Sequence, residues 1–357
     1  MKRLFSTAIS VLALAAIALP GNAAKAQFYK GKRITVVINY GAGGPTDVEG
    51  RLLARHLARH IAGKPKIIVK NRPGAGGIVG SNYMGQVAKP DGLTMAIFTP
   101  PIISQVLGDP GLKIDFSKFI WLAGIGQPQI CYMRKDAGSG VSTVGDILKV
   151  KSFKAGGMRN TSSHDIRMRL SLDLMGAKYK YVTGYRGLSK VAAGVLQNET
   201  QYSCGSVPNY RGMVEPNLIN TGKALTMWYY SPIGPDGKEV KFADLSGIPT
   251  FLDVYKKLHG GTPSGIKYTA FTVVNNLATF MLRGSFVPAG TPKAAVDALR
   301  AAWKALPDDP EFVSEYRKAF KAKPKIVQSA AAQAHVDNVK NIDLRVVNFL
   351  KKYIKGS

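Results

Sequence analysis

A Gly-Ala-Gly-Gly turn occurs twice near the start of this chain, at 41–44 and at 74–77. Each copy follows an apolar run of strand character and opens an amphipathic stretch. ITVVIN (34–39) leads into YGAGGPTD and then into 47–62, where Val48, Leu52, Leu53, Leu57 and Ile61 recur at helical spacing. KIIVK (66–70) leads into NRPGAGGIVG and a second helical stretch to about Ala88, and after Pro90-Asp91-Gly92 comes the strand LTMAIF. Alternating strands and helices predict a parallel α/β sheet, whose strand ends carry the turns. Glycine lets backbone approach a ligand closely. Free amides and the positive end of a helix then favour an anion, and two adjacent turns can grip one carboxylate from both sides. A nucleotide fits less well: Gly41 and Gly43 are followed by Thr46 where a dinucleotide fingerprint needs glycine, and the Gly-Lys-Ser/Thr of a P-loop is missing.

The compartment argues the same way. Lys2 and Arg3, the apolar run from Leu4 to Leu19, and Ala24-Lys25-Ala26 read as a cleaved secretory signal (1–26), with Gln27 the expected new N-terminus. No cysteine lies there to take a lipid, and no later segment is apolar for long enough to span a membrane. The expectation is a soluble periplasmic protein. Its net charge falls from +27 to +24 once Lys2, Arg3 and Lys25 are removed. That charge is spread along the chain without a basic arm, which suits attraction of small anions better than nucleic acid.

The remaining length exceeds one compact core and predicts two domains. The α/β pattern restarts over 131–230, with helices near 165–174 and 188–196 and strands at KYKYVTGY, QYSCGSV and ALTMWYYS. Residues 232–270 are rich in Gly, Pro and Lys and read as a surface excursion; helices follow at 292–305, 310–321 and 329–354. Cys131 and Cys204 are expected to be free, buried thiols, with a bridge the alternative that export permits.

The runs VVINYGAGGPTDVEGRLLARHL and IVKNRPGAGGIVGSNYMGQVAKPDGLTMAIFT closely resemble the solute receptors of tripartite tricarboxylate transporters, the Bug/TctC family. FVPAGTPKAAVDALRAAW and IPTFLDV resemble later family segments, with Asp253 where glutamate is usual. The resemblance implies a two-lobed α/β periplasmic-binding-protein architecture (type II-like) with the ligand cleft between lobes. Lobe 1 is expected to comprise 27–130 and 231–357, lobe 2 to comprise 131–230, and the chain to cross near Gln127 and Ser231. It implies that the protein is a monomer without cofactor or metal, binds a small organic acid, and serves integral membrane transporter subunits. In the family the glycine turns hold one ligand carboxylate through backbone amides and ordered water. Carried to this chain, that marks Tyr40, Ala42, Gly43, Gly44, Thr46, Asp47, Ala75, Gly76, Gly77 and Thr99. In lobe 2 the family's G-x-G-S/T-x-x-H is RNTSSHD here and its V-P-Y-x-G is VTGYRG, which puts Arg159, Asn160, Thr161, Ser162 and Tyr185 against the rest of the ligand. A sensor receptor feeding a membrane kinase and an exported enzyme on a small acid or ester are the alternatives.

Other residues read more plainly. His56 and His60 have metal-ligand spacing but no third ligand, so surface histidines are expected. Arg51, Arg55 and Arg59 form a stripe read as solvated, or as a dock for an acidic membrane partner. Asp47 and Thr46 suit a helix cap. His164 has no nucleophile motif or carboxylate pair beside it, so it is assigned a structural or ligand-orienting role. Trp228, Tyr229 and Tyr230 either pack a core or stack on an aromatic acid.

Overall fold

The computed structural model describes residues 28–356; the signal-peptide expectation, with its new start at Gln27, lies outside them. Two mixed sheets carry the fold. The first has the order β11-β4-β10-β3-β1-β2, built from β1 (Arg33–Ile38), β2 (Lys66–Asn71), β3 (Thr94–Phe98), β4 (Ile120–Ile125), β10 (Arg283–Val287) and β11 (Ile326–Gln328). As expected, β1 runs parallel to β2 and β3. The late strands β10 and β11 run antiparallel to their neighbours, which makes the sheet mixed. The second sheet has the order β7-β6-β8-β5-β9, from β5 (Gln129–Arg134), β6 (Phe153–Gly156), β7 (Tyr179–Val182), β8 (Tyr202–Ser206) and β9 (Ala224–Tyr229).

Helix α1 (Pro45–His60) begins with proline at its first turn, where a missing N–H costs nothing. It buries Leu52, Leu53 and Leu57 against Ile34, Val36 and Ile38 of β1. Then come α2 (Ile78–Gln86), α3 (Ile102–Leu107), α4 (Ser163–Met175), α5 (Leu188–Leu196) and α6 (Val207–Asn209, running on as a π-helix over Tyr210–Ile219). The C-terminal third holds α7 (Phe251–His259), α8 (Gly265–Phe280), α9 (Lys293–Ala305), α10 (Pro310–Phe320), α11 (Ser329–Asp337) and α12 (Leu344–Lys355).

Several expectations are corrected. The 232–270 segment is no excursion: it contains α7 and the start of α8, which bury Phe251, Leu252 and Phe271 with the core of the second sheet. The amphipathic face of α7 pays little heed to the glycines around it, because Thr250 and Asp253 form a capping box that starts the helix locally. Helix α12 also packs there, through Val346 and Leu350. The single long tail helix is broken into α11 and α12 by a 3₁₀ turn, and Asp343 caps the second piece. Trp228, Tyr229 and Tyr230 are buried core residues.

The cysteines are bridged. Cys131 and Cys204 stand opposite each other on antiparallel β5 and β8 and form a disulfide. The basic stripe on α1 is met from within the chain: Arg55 pairs with Glu315, and Arg59 with Glu311 and Asp309, all on or beside α10. His56 is buried beneath this layer, its Nε2 2.6 Å from Glu315, so it is not a surface residue.

The chain leaves the first sheet at 126–128, after β4, and re-enters it at β10, directly after α8. Helix α8 is tied to the segments just before β5 and just after β9. Gln127 N–H donates to the Thr279 carbonyl at 3.0 Å. The Asn275 amide donates to the Ser231 carbonyl at 2.6 Å.

Candidate functional site

A cleft of about 350 Å³ lies where elements of the two sheets meet. Its first wall is the 40–46 turn with Gly76, Thr99, Pro100, Pro101, Ser104, Leu282 and Arg283. Its second is Gln129, Met158, Arg159, 162–164, 186–190, Ala193, Ser206 and Met213.

The first turn is shaped by Asp47. This buried carboxylate accepts from the Gly43 amide at 2.9 Å, from Arg51 Nε at 2.9 Å and from Asn71 Nδ2 at 2.7 Å. Burial raises its pKa, but those hydrogen bonds outweigh burial and hold it below the ordinary value. Asp47 therefore fastens the turn and does not cap the helix. The cap position is Gly44, which has no side chain to offer, and Thr46 does not cap either. The Gly43 and Gly44 amides are both occupied, by Asp47 and by the Gly41 carbonyl. The donors left for an anion are the first-turn amides of α1, which a helix cannot satisfy itself.

The second turn leans on the first. Tyr40 Oη donates to the Gly76 carbonyl at 3.0 Å. Gly77 (φ +94°) is the cap of α2, and a Cβ there would lie 2.4 Å from Asn39 Nδ2. Asn39 in turn receives the Thr99 amide and donates to the Thr99 carbonyl. Thr46 and Thr99 share a 3.0 Å hydroxyl contact.

Below Thr99 sits a residue that the sequence did not flag. Arg283, on β10, is buried; it donates to Thr99 Oγ1 at 2.6 Å and pairs through Nε with the buried Glu49 at 2.9 Å. Gln127 and Tyr316 also donate to Glu49. Arg283 Nη2 has no partner. No motif marked Arg283; the available signal was an arginine inside an otherwise strand-like RGSFV run.

The second wall contributes α4 and α5. Ser162 caps α4, its Oγ accepting from the Asp165 amide. Helix α5 starts at Gly187 without a side-chain cap, with Arg186 and Lys190 beside it. His164 is buried, with Nδ1 3.0 Å from Gln129 Oε1. Burial and the nearby Arg167 push its pKa down to about 3, so it is neutral. Asp165, also buried, is pushed up to about 6.

Of the marked residues, Tyr40, Ala42, Gly43, Gly44, Thr46, Gly76, Thr99, Arg159 and Ser162 line this cleft. Asp47, Ala75 and Gly77 are not among its lining residues. Asn160 donates to the Ile354 carbonyl and Thr161 to Asp109, which places both on the far side of their loop. Tyr185 donates to Glu199, outside the cleft lining. Among the described residues no group of three or more His, Cys, Asp or Glu is arranged to hold a metal ion. None of their helices is long and apolar enough to cross a membrane.

No protein-family model matches the chain. A UPF0065 protein from the gbd 5′ region of Cupriavidus necator is 36% identical over 122 residues, 33% of this chain and 36% of that protein. The chain thus spans about a third of the length of that curated relative. The periplasmic binding protein BugD superposes with a TM-score of 0.66 at 19% identity, covering 91% of this chain and 98% of BugD. Protein BugT of Bordetella pertussis is 36% identical over 97 residues, 27% of this chain and 28% of BugT. Rhodopseudomonas palustris Rpa4515, solved with adipate, has a similar fold, with a TM-score of 0.68 at 18% identity, covering 89% and 97% of the two chains.

Proposed function

We propose that this protein is an extracytoplasmic receptor that closes on a small organic carboxylate and delivers it to a tripartite tricarboxylate-type membrane transporter. One observation carries the reading: two helix N-termini without side-chain caps, of α1 and α5, come from opposite walls to one cleft. Each end presents unsatisfied amides and a partial positive charge. Arg283 deepens the field on one side, and Arg186 and Lys190 on the other. A ligand with two acidic ends suits that spacing of donors. The apolar stretch between them (Pro100, Met158, Leu188, Met213) suits a short carbon skeleton.

The lobes are proposed to follow the sheets, with α7, α8 and α12 moving with the second because their side chains complete its core. The crossings at 126–128 and between α8 and β10 would then be part of the hinge. The expected export signal and the likeness to the periplasmic binding protein BugD support a periplasmic location for the mature chain. Calorimetry with mono-, di- and aromatic carboxylates tests the reading. Micromolar or tighter binding of at least one acid is expected; indifference to all three classes would refute it.

A further inference from the structure

We propose that Gln127 is a positioning residue that joins the two walls of the cleft, so that capture of the ligand on one wall draws in the other. The inference rests on the carboxylate-receptor reading above and names the residue through which closure is transmitted. Gln127 lies in the first crossing between the sheets and is buried, but it is not among the cleft-lining residues. Its side chain is held from beneath the first wall. A carboxylate only accepts, so the amide nitrogen of Gln127 is the atom that meets Glu49 Oε1. The other oxygen of Glu49 lies 2.9 Å from Arg283 Nε. Arg283 is the first residue of β10, where the chain returns from the second crossing. Glu49 therefore holds both crossings at once. Arg283 continues to the cleft wall by donating to Thr99 Oγ1 at 2.6 Å.

The backbone of Gln127 is held from the other side. Its N–H donates to the Thr279 carbonyl of α8 at 3.0 Å. Thr279 Oγ1 and Asn275 Oδ1, both on α8, accept from Arg167 Nη1 at 2.8 and 2.9 Å. Arg167 belongs to α4, whose first turn, Ser163 and His164, lines the second wall. Gln127 thus stands between a buried arginine under one wall and a buried arginine behind the other. Glu49, Gln127, Thr279, Arg167 and Arg283 are all 5% exposed or less, so water does not compete for these bonds. A shift of either arginine toward a ligand must be followed along the chain of contacts or leave a buried group unpaired, which is costly. Such coupling is reciprocal: if the ligand acts on Gln127, a change at Gln127 acts on the ligand. Tyr316 supplies the comparison. Its hydroxyl donates to the same Glu49 oxygen at 2.6 Å and accepts from Gln127, but it sits on α10, in neither crossing.

The test is calorimetry on the purified protein with acetate, succinate, glutarate, adipate and benzoate, carried on with the acid that wild type binds most tightly. Gln127→Met keeps the length of the side chain and removes its donor. It should bind that acid at least about fivefold more weakly, the lower end of coupling between linked sites. Tyr316→Phe should stay within about twofold of wild type, although urea titration should show both variants destabilised by the loss of a buried bond to a charge. Stability alone therefore does not separate them, and ligand affinity does. In wild type, saturation with the acid should also slow hydrogen exchange at the amides of Gly126 and Gln127, neither of which lines the cleft. That measurement decides the matter alone if Gln127→Met does not fold. Unchanged affinity in Gln127→Met, an equal loss in Tyr316→Phe, or exchange at 126–127 indifferent to the ligand would each overturn the inference while leaving the receptor reading intact. Failure of every acid to bind wild type would overturn both.

Discussion

Arg159 and Asp109 meet at the edge of the cleft, Nη2 to Oδ2 at 2.6 Å, from loops attached to different sheets. Arg159 also donates to the Ala75 carbonyl at 3.2 Å, so one side chain ties the second wall to the second glycine turn. The carboxylate is buried, and Thr161, from the same loop as Arg159, donates to it as well.

Under the proposed closure of the two lobes, such a contact favours the closed arrangement. Arg159→Ala should therefore weaken ligand binding by about 1 kcal/mol, the scale of a partly exposed ion pair. Most of the change should appear as faster release, since dissociation carries most affinity differences at one interface. Stopped-flow release from wild type and variant decides it. An unchanged release rate would mean that the pair forms only incidentally.

The glycine turns separate binding from folding. Gly43 has φ +73° and faces open cleft, with nothing within 4 Å of an added Cβ. Gly43→Ala should cost about 1–2 kcal/mol in backbone conformation and should reduce carboxylate affinity as the methyl group enters the cleft. Gly77→Ala carries the same backbone cost and also drives a methyl into Asn39, which joins the ends of β1 and β3. Its melting temperature should fall further than that of Gly43→Ala. Differential scanning calorimetry beside binding titrations would expose the reverse order if it held.

Arg283 and Glu49 form a buried pair under the cleft floor. Arg283→Met would leave Glu49 with neutral donors only, at a cost of about 3–5 kcal/mol. Arg283→Met with Glu49→Gln should recover much of that stability but not the anion affinity, because the cation is what the ligand needs. Denaturant titration and calorimetry on the same two variants check both halves.

The parts of this molecule that were legible in the sequence are those specified locally. Strands β1 to β3 and helix α1 announce themselves by periodicity, and α5 follows from 188–196. The glycine turns are visible because Gly43, Gly74, Gly76 and Gly77 hold positive φ, which favours glycine. What stayed hidden depends on partners far along the chain. His56 reads as a surface residue until Glu315, 259 residues later, covers it. The disulfide needs β5 and β8 in register across 73 residues. Arg283 gains its meaning only from Glu49 and Thr99. Thr161 and Tyr185 sit on the expected loops but turn toward Asp109 and Glu199, and side-chain direction in a loop has no period to betray it.

The pH dependence of stability should carry the signature of His164. Its folded pKa, about 3, is depressed from the ordinary 6.5 by burial and by Arg167. The folded protein therefore holds the ring neutral while the unfolded chain protonates it. The contribution of His164 is complete above pH 6.5 and is lost progressively as pH falls from there toward 3. Between pH 6.5 and pH 5 the loss should be about 2 kcal/mol, at about 1.4 kcal/mol per pH unit. Asp165 works in the opposite direction: its pKa is raised to about 6, so the folded state gains over the unfolded as pH falls from 6 toward 3.8. Wild-type stability alone would show the two slopes partly cancelled. The difference between wild type and His164→Leu isolates the histidine, because Asp165 is present in both. Urea titrations at pH 7 and pH 5 should show wild type losing about 2 kcal/mol relative to the variant. A difference independent of pH would mean that the imidazole is not held neutral in the folded protein.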